Sequence, residues 1–216
     1  MIQVHNVKQG SAEWFQARLG MPTASMFATV LAKGKDGGVS ATRKTYLMKL
    51  AGERLTGEPA EEYSNDYMQR GKVMEAAARE DYVFQTDADL TQVGFVSNGP
   101  KGCSPDALVG DDGLLEIKTK AAHLHIEALL RGDFPPEHKA QCQGSLWVTE
   151  RDWVDLAIYW PKLPLVVYRA RRDEAYIRQL ASAVDAFNSE LEAMVTRVKA
   201  YSGPTSVVQM LWASLA

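Results

Sequence analysis

Two acids and a lysine at fixed spacing dominate the chemistry of this 216-residue chain: Asp106 in Cys103-Ser104-Pro105-Asp106, then Glu116 and Lys118 in Leu115-Glu116-Ile117-Lys118. An acid followed ten positions later by Glu-x-Lys describes a metal-dependent site that cleaves phosphodiesters. Residues 101–109 and 114–120 read as strands, and Asp111-Asp112-Gly113 reads as a three-residue hairpin loop closed by a left-handed glycine. On that reading Gly110 pairs with Leu114, Leu108 lies opposite Glu116, and Asp106 lies opposite Lys118. Asp106, Glu116 and Lys118 then share one face of the sheet, while Leu115, Ile117 and Thr119 take the other. Two carboxylates this close repel, and a hard cation with oxygen ligands, Mg²⁺ or Mn²⁺, relieves the repulsion. A lysine on the same face can lower the pKa of an attacking water or stabilise the charge on a pentacovalent phosphate. Singly, Ser-Pro-Asp is turn chemistry and Glu-x-Lys a solvent-facing strand pair; the weight lies in their joint occurrence on one hairpin.

The elements that must hold this hairpin follow from capping signals and apolar periodicity. Ser11 caps a short helix through Leu19, Thr23 caps another through Ala32, and Ser40 caps a longer one with Tyr46, Leu47, Leu50 and Leu55 on its apolar stripe. The first third reads as helical. A further helix begins between Asp66 and Gly71 and runs to about Gln85, and Leu90 to Ser97 starts the strands. After the hairpin come a helix over 122–131, the Pro135-Pro136 break, a helix over 137–148, and β-rich runs at 153–160 and 165–170. In the last helix Ile177, Leu180, Val184, Phe187, Leu191 and Val195 recur at three and four, which buries one face against the sheet or a partner subunit. The chain is therefore expected to form one domain, helical over 1–86, with a sheet core over 90–171 and C-terminal helices over 173–216. Strands in the middle with helices before, between and after them make an α/β fold, a central mixed sheet flanked by helices.

Composition narrows the function classes. With 46% hydrophobic residues the chain can bury a substantial core, and no apolar run approaches a membrane span, so the cytoplasm is the expected compartment. Two cysteines, Cys103 and Cys142, cannot make a four-thiolate iron–sulfur or zinc centre. A net charge of −3 argues against a uniformly basic DNA-coating protein, yet allows basic groups to converge on a cleft. Lys33/Lys35, Arg43/Lys44 and Arg70/Lys72 read as solvated faces. His123-x-His125 has no third ligand near it in sequence and reads as structural.

With these residues placed, the chain resembles the phage lambda exonuclease, or viral recombinase, family of the PD-(D/E)XK nucleases, whose fold is restriction-endonuclease-like. Besides the hairpin, the resemblance rests on Trp14 with Ala17-Arg18-Leu19-Gly20, Thr23-Ala24-Ser25, Arg70-Gly71-Lys72 with Glu75, and Lys139-Ala140-Gln141-Cys142-Gln143 leading into Trp147-Val148-Thr149. It implies a processive exonuclease that digests one strand of duplex DNA from a phosphorylated 5′ end with two Mg²⁺ ions per site. The product would carry a 3′ single-stranded tail for a single-strand annealing protein, and the enzyme would be a ring-shaped homotrimer in a bacterial host. Residue by residue, Asp106, Glu116 and the Ile117 carbonyl match metal ligands, and Lys118 matches the catalytic lysine. Glu75 matches the acid of the preceding helix, and Gln141 a glutamine touching the scissile strand or the water. Arg18, Ser25 and Ser104 match a 5′-phosphate pocket, Met68 an apolar wedge at the terminal base pair, and Lys35 a contact along the duplex. The loop after the lysine, the region of Arg43 and the tail from Pro204 depart from the family pattern. Two other readings use the same residues: an endonuclease without end recognition, and a non-catalytic clamp on DNA ends.

Overall fold

The computed structural model describes residues 1–60 and 66–201, the side chains of residues 66–73 excepted. A short strand, β1 (Ile2–His5), leads into α1 (Ala12–Ala17), whose N-cap Ser11 accepts from the Trp14 N–H. A 3₁₀ turn (Ala24–Met26) then runs into α2 (Phe27–Leu31). Helix α3 (Ala41–Thr56) starts where the Ser40 hydroxyl accepts from Arg43 N–H at 3.1 Å and stops at Gly57, whose φ of +74° suits glycine. Helix α4 (Asp66–Thr86) precedes strands β2 (Leu90–Thr91), β3 (Phe95–Asn98), β4 (Gly102–Cys103), β5 (Ala107–Val109) and β6 (Gly113–Thr119). Then come α5 (Ala122–Arg131), a 3₁₀ turn (Pro136–His138), α6 (Lys139–Thr149), β7 (Trp153–Tyr159), β8 (Val166–Arg171) and α7 (Glu174–Lys199).

The strands form two sheets, ordered β1-β3-β4 and β2-β5-β6-β7-β8; in the larger, β6 and β7 run parallel and the other pairs antiparallel. Alternation along β6 sends Leu115 and Ile117 to one core, with Ala78 and Tyr82 of α4, and Leu114 to another, with Ala128 of α5 and Leu146 of α6. The apolar stripe of α7 is buried as its periodicity requires, but against other helices: Leu180, Val184, Phe187 and Leu191 pack with Phe27, Leu47 and Leu50 of α2 and α3. A helix layer thus stands beside the sheet, and each fully buried Leu or Phe contributes roughly 1.5–3 kcal/mol. Two close approaches lock the layers around the hairpin. A Cβ on Gly144 of α6 would lie 2.4 Å from the Phe27 ring, and Tyr82 of α4 donates its hydroxyl to buried Asp155 of β7 at 2.7 Å. Among the described residues no helix is long and apolar enough to cross a membrane.

Three expectations are corrected. The first third contains β1, which pairs antiparallel with β3, so it is not wholly helical. The run 90–97 divides at Gly94 into β2 and β3, which belong to different sheets. Within 101–109, likewise, β4 pairs with β3 and β5 with β6, so Ser104-Pro105-Asp106 is the link between the two sheets.

Candidate active site

The hairpin register differs by two residues from the one read in the sequence: Val109 pairs with Gly113, Leu108 with Leu114 and Ala107 with Leu115. The loop is Gly110-Asp111-Asp112, with Gly110 supplying the left-handed φ of +49°. Gly113 is a strand residue because Trp153 of β7 lies against it; a Cβ there would stand 2.2 Å from the indole. Arg151 fastens the turn by donating to the carbonyls of Gly110 at 2.9 Å and Gly113 at 2.8 Å. A shift of two preserves the face of every side chain. Its consequence is that Asp106 meets the Glu116–Ile117 segment rather than Lys118: Asp106 N–H donates to Leu115 O at 3.1 Å, and Ile117 N–H donates to Asp106 Oδ2 at 2.5 Å.

Around this contact the remaining groups converge. Lys118 Nζ donates to Glu116 Oε1 at 2.7 Å, and Gln141 Nε2 of α6 donates to the same oxygen. The Glu116 side chain is only 6% exposed, so this ammonium is a near partner in a desolvated setting. Gln143, two residues further along α6, is structural: it donates to Arg171 O and accepts from Asp173 N–H, each at 2.8 Å. Burial, then the charges of Glu116 and Glu75, hold the Asp106 carboxyl well above the usual carboxylate range, against the opposing pull of the Ile117 N–H and Lys118. Burial alone would lower the Lys118 pKa, but Glu116 and Asp106 outweigh it and raise it, which keeps the ammonium charged.

These groups fit a hard divalent cation. Asp106 and Glu116 supply carboxylate oxygens, and among the described residues no side chain donates to Asp106 Oδ1 or Glu116 Oε2. The crowding that pushes Asp106 toward its neutral form is relieved by positive charge between the acids. Among the described residues no three His, Cys, Asp or Glu side chains cluster as a cation cage. A cation here would therefore draw its other ligands from main-chain, solvent or substrate oxygens, as Mg²⁺ commonly does. Glu75 lines, with Asp106, Arg79 and Gln9, a cleft of about 540 Å³, and its Oε2 lies 4.0 Å from Arg79 Nη1.

A second cluster adjoins the first, because Ser104 is two residues from Asp106. Trp14 Nε1 donates to Ser104 Oγ at 2.9 Å and to Gly94 O at 3.0 Å, and the Arg18 guanidinium lies 4.0 Å over the Trp14 ring. Arg18 Nη2 reaches Thr23 Oγ1 at 3.4 Å, and Thr23 Oγ1 is 3.3 Å from Ser25 Oγ. Arg18, Ser25 and Ser104 are thus brought into one chain of contacts. Arg18 and Ser25 line a cleft of about 340 Å³ with Thr23, Tyr46 and Lys49. A charged fork beside hydroxyls has the donors that an anion would require. Sequence reasoning missed the role of Thr23, read there as a helix cap; its side chain makes no cap bond and turns to Arg18 and Ser25. Tyr46, read only as a stripe residue, accepts from Thr23 N–H at 3.2 Å.

Lys35 is exposed in the loop between α2 and α3 and lines neither cleft, and Met68 lies outside the described side chains, as do Arg70 and Lys72. His125 is buried, with Nε2 2.8 Å from Pro164 O, in keeping with its structural reading. Cys103 and Cys142 are buried free thiols whose pKa values burial pushes up, which leaves them unreactive.

The model of the YqaJ-like viral recombinase domain matches residues 13–152, a span that holds both clusters. The chain belongs to this family. An alkaline exonuclease, LHK-Exo, from Laribacter hongkongensis is 36% identical, with a TM-score of 0.79 over 95% of this chain and 100% of that one. The structure of LHK-Exo in complex with dAMP aligns at 38% identity and a TM-score of 0.80, with the same coverage. A phage-related exonuclease from Haemophilus somnus 129PT, 16% identical, shares the fold with a TM-score of 0.61 over 82% of this chain and 96% of that one. No curated protein matches the chain significantly. The fold is thus the PD-(D/E)XK type, the mixed sheet flanked by helices that the resemblance implies.

Proposed function

We propose that this chain is a metal-dependent exonuclease that enters linear duplex DNA at a phosphorylated 5′ end, releases mononucleotides and leaves a 3′ single-stranded tail. The observation that carries this reading is the adjacency of two sites: Ser104 of the anion-binding cluster and Asp106 of the acidic cluster stand on one short link, beside Glu116, Lys118 and Gln141. The relatedness to LHK-Exo supports the exonuclease class. Asp106, Glu116 and the carbonyl of Ile117 would hold Mg²⁺, with Mn²⁺ as an alternative and two ions in the working site. Bound there, the ions supply Lewis-acid stabilisation of phosphate charge and a lowered pKa for the attacking water. Lys118 presents its ammonium to the reacting phosphate, Gln141 orients Glu116 and the scissile strand, and Glu75 adds negative charge on the Asp106 side. Arg18, with Ser25 and Ser104, receives the terminal phosphate and so sets the register of the first scissile bond. Lys35 would follow the duplex and Met68 would wedge the terminal base pair. A homotrimeric ring around DNA, a single-strand annealing protein as partner, and a cytoplasmic setting in a bacterial host complete the reading.

Linear and covalently closed duplexes of one sequence, each incubated with Mg²⁺ or with chelator, test it. Nucleotide release from the linear form alone, abolished by chelator, is the expected result. Cutting of the closed form would instead identify an endonuclease, and binding to ends without hydrolysis a clamp.

A further inference from the structure

Between β1 and α1 the chain passes beside the Ser104-Pro105-Asp106 link, and Gln9 reaches across to it. Its Nε2 donates to Pro105 O at 3.0 Å and to Val93 O at 3.3 Å. Trp14 Nε1 makes the parallel pair of bonds one residue away on each segment, to Gly94 O and Ser104 Oγ. Two side chains from the N-terminal segment therefore stitch residues 93–94 to residues 104–105. The stitch is close-fitting, since a Cβ on Gly94 would stand 2.0 Å from the Val7 carbonyl oxygen and force the segment away. Pro105 has no N–H, so its carbonyl is the one polar main-chain group by which the residue preceding Asp106 can be gripped.

We propose that Gln9 is a positioning residue that fixes Asp106 at its working distance from Glu116 and so sets the affinity of the site for its divalent cation. Asp106 is held from one side by β6, through the bonds with Leu115 O and Ile117 N–H, and from the other by Gln9 through Pro105. With the Gln9 hold released, Pro105 and Asp106 are left free to shift between Ser104, still held by Trp14, and β6, and two carboxylates that repel each other move apart unless a cation is already between them. Outer groups that orient metal ligands typically govern affinity or activity by about ten- to a hundredfold. Gln9 also borders the cleft that Asp106, Glu75 and Arg79 line, so the device sits at the site itself.

The inference rests on the metal-dependent reading above, and its test separates the two. Gln9→Met keeps length and loses both donors; Gln9→Asn is one methylene shorter and reaches one carbonyl at most. Ca²⁺ binding is followed by calorimetry, and nucleotide release from a 5′-phosphorylated linear duplex across a Mg²⁺ series. The expected result for Gln9→Met is about a tenfold weaker Ca²⁺ affinity and a matching rise in the Mg²⁺ needed for half-maximal rate. The KM for DNA should stay within about twofold and kcat should largely recover at high Mg²⁺. Gln9→Asn should fall between Gln9→Met and the unsubstituted protein, which guards against a folding defect in one variant. Cation affinity unchanged in both variants, or a raised KM with an unchanged cation requirement, would overturn the role of Gln9. Failure of the unsubstituted protein to bind the cation would instead overturn the metal-dependent reading and this role with it.

Discussion

Replacing Lys118 by Met should remove hydrolysis while leaving DNA and cation binding in place. The ammonium stands 2.7 Å from Glu116 Oε1, on a side chain 27% exposed against a carboxylate side chain 6% exposed. It stays charged because Glu116 and Asp106 outweigh the burial that would neutralise it. A charge about 4 Å from the developing phosphate charge is worth roughly 4 kcal/mol at an effective dielectric near 20. In rate this is about a thousandfold. Met retains the length and most of the volume of the side chain, and Asp106 and Glu116 remain to hold the cation. The assay is single-turnover nucleotide release from a 5′-phosphorylated linear duplex at saturating Mg²⁺, with DNA binding followed by fluorescence anisotropy and Ca²⁺ binding by calorimetry. The rate should fall about a thousandfold while both affinities stay within a few-fold. A variant that turns over within about threefold of the unsubstituted protein would remove Lys118 from the chemistry.

Three further outcomes are expected. Arg18→Ala, which takes the guanidinium off the Trp14 ring and away from Thr23, should slow digestion of a 5′-phosphorylated duplex by about 1.5–3 kcal/mol relative to its effect on a 5′-hydroxyl duplex. Equal slowing of both substrates would make Arg18 structural. His138, half-buried near Lys118 and Lys120, has its pKa lowered from 6.5 to about 4 by desolvation first and those charges second. As pH falls from 6.5 toward 4 the unfolded chain takes up a proton that the folded chain refuses, so stability declines through that window by roughly 3 kcal/mol. Denaturant titrations across the window should show a flatter profile for His138→Gln, and an identical slope would refute the assignment. If three subunits enclose the duplex, processivity in a competitor-DNA challenge should resist salt better than loading does, since enclosure is not screened whereas long-range attraction is. A monomer by light scattering would contradict the ring.

Most element positions were legible because they are set locally. Ser40 and Gly57 bound α3, the Pro135-Pro136 pair interrupts the chain between α5 and α6, and the stripe of α7 is buried where its period places it. The hairpin register was not legible, because Gly113 and Gly110 are both turn-competent and Trp153, forty residues away in sequence, decides between them. The acidic cluster survived that error because a shift of two keeps each side chain on its face. The partners of Trp14 and Gln9 lie 80 to 96 positions away, so no spacing rule reaches them. A second Gln beside a small residue, Gln9-Gly10, carried no signal of its own. Gln141 was singled out by its motif, but its bond to Glu116 and the anchoring of Gln143 to Arg171 and Asp173 are visible only in the fold.

The most direct test of the central claim is digestion of linear duplexes labelled at the 5′ or the 3′ end of one strand, with and without a terminal 5′ phosphate, in Mg²⁺. The account predicts that the 5′ label on a phosphorylated end is released at once as a mononucleotide, that a 3′ label on the same strand is released last, and that a 5′-hydroxyl end is attacked slowly. Early release of the 3′ label, or equal rates on phosphorylated and hydroxyl ends, would contradict it.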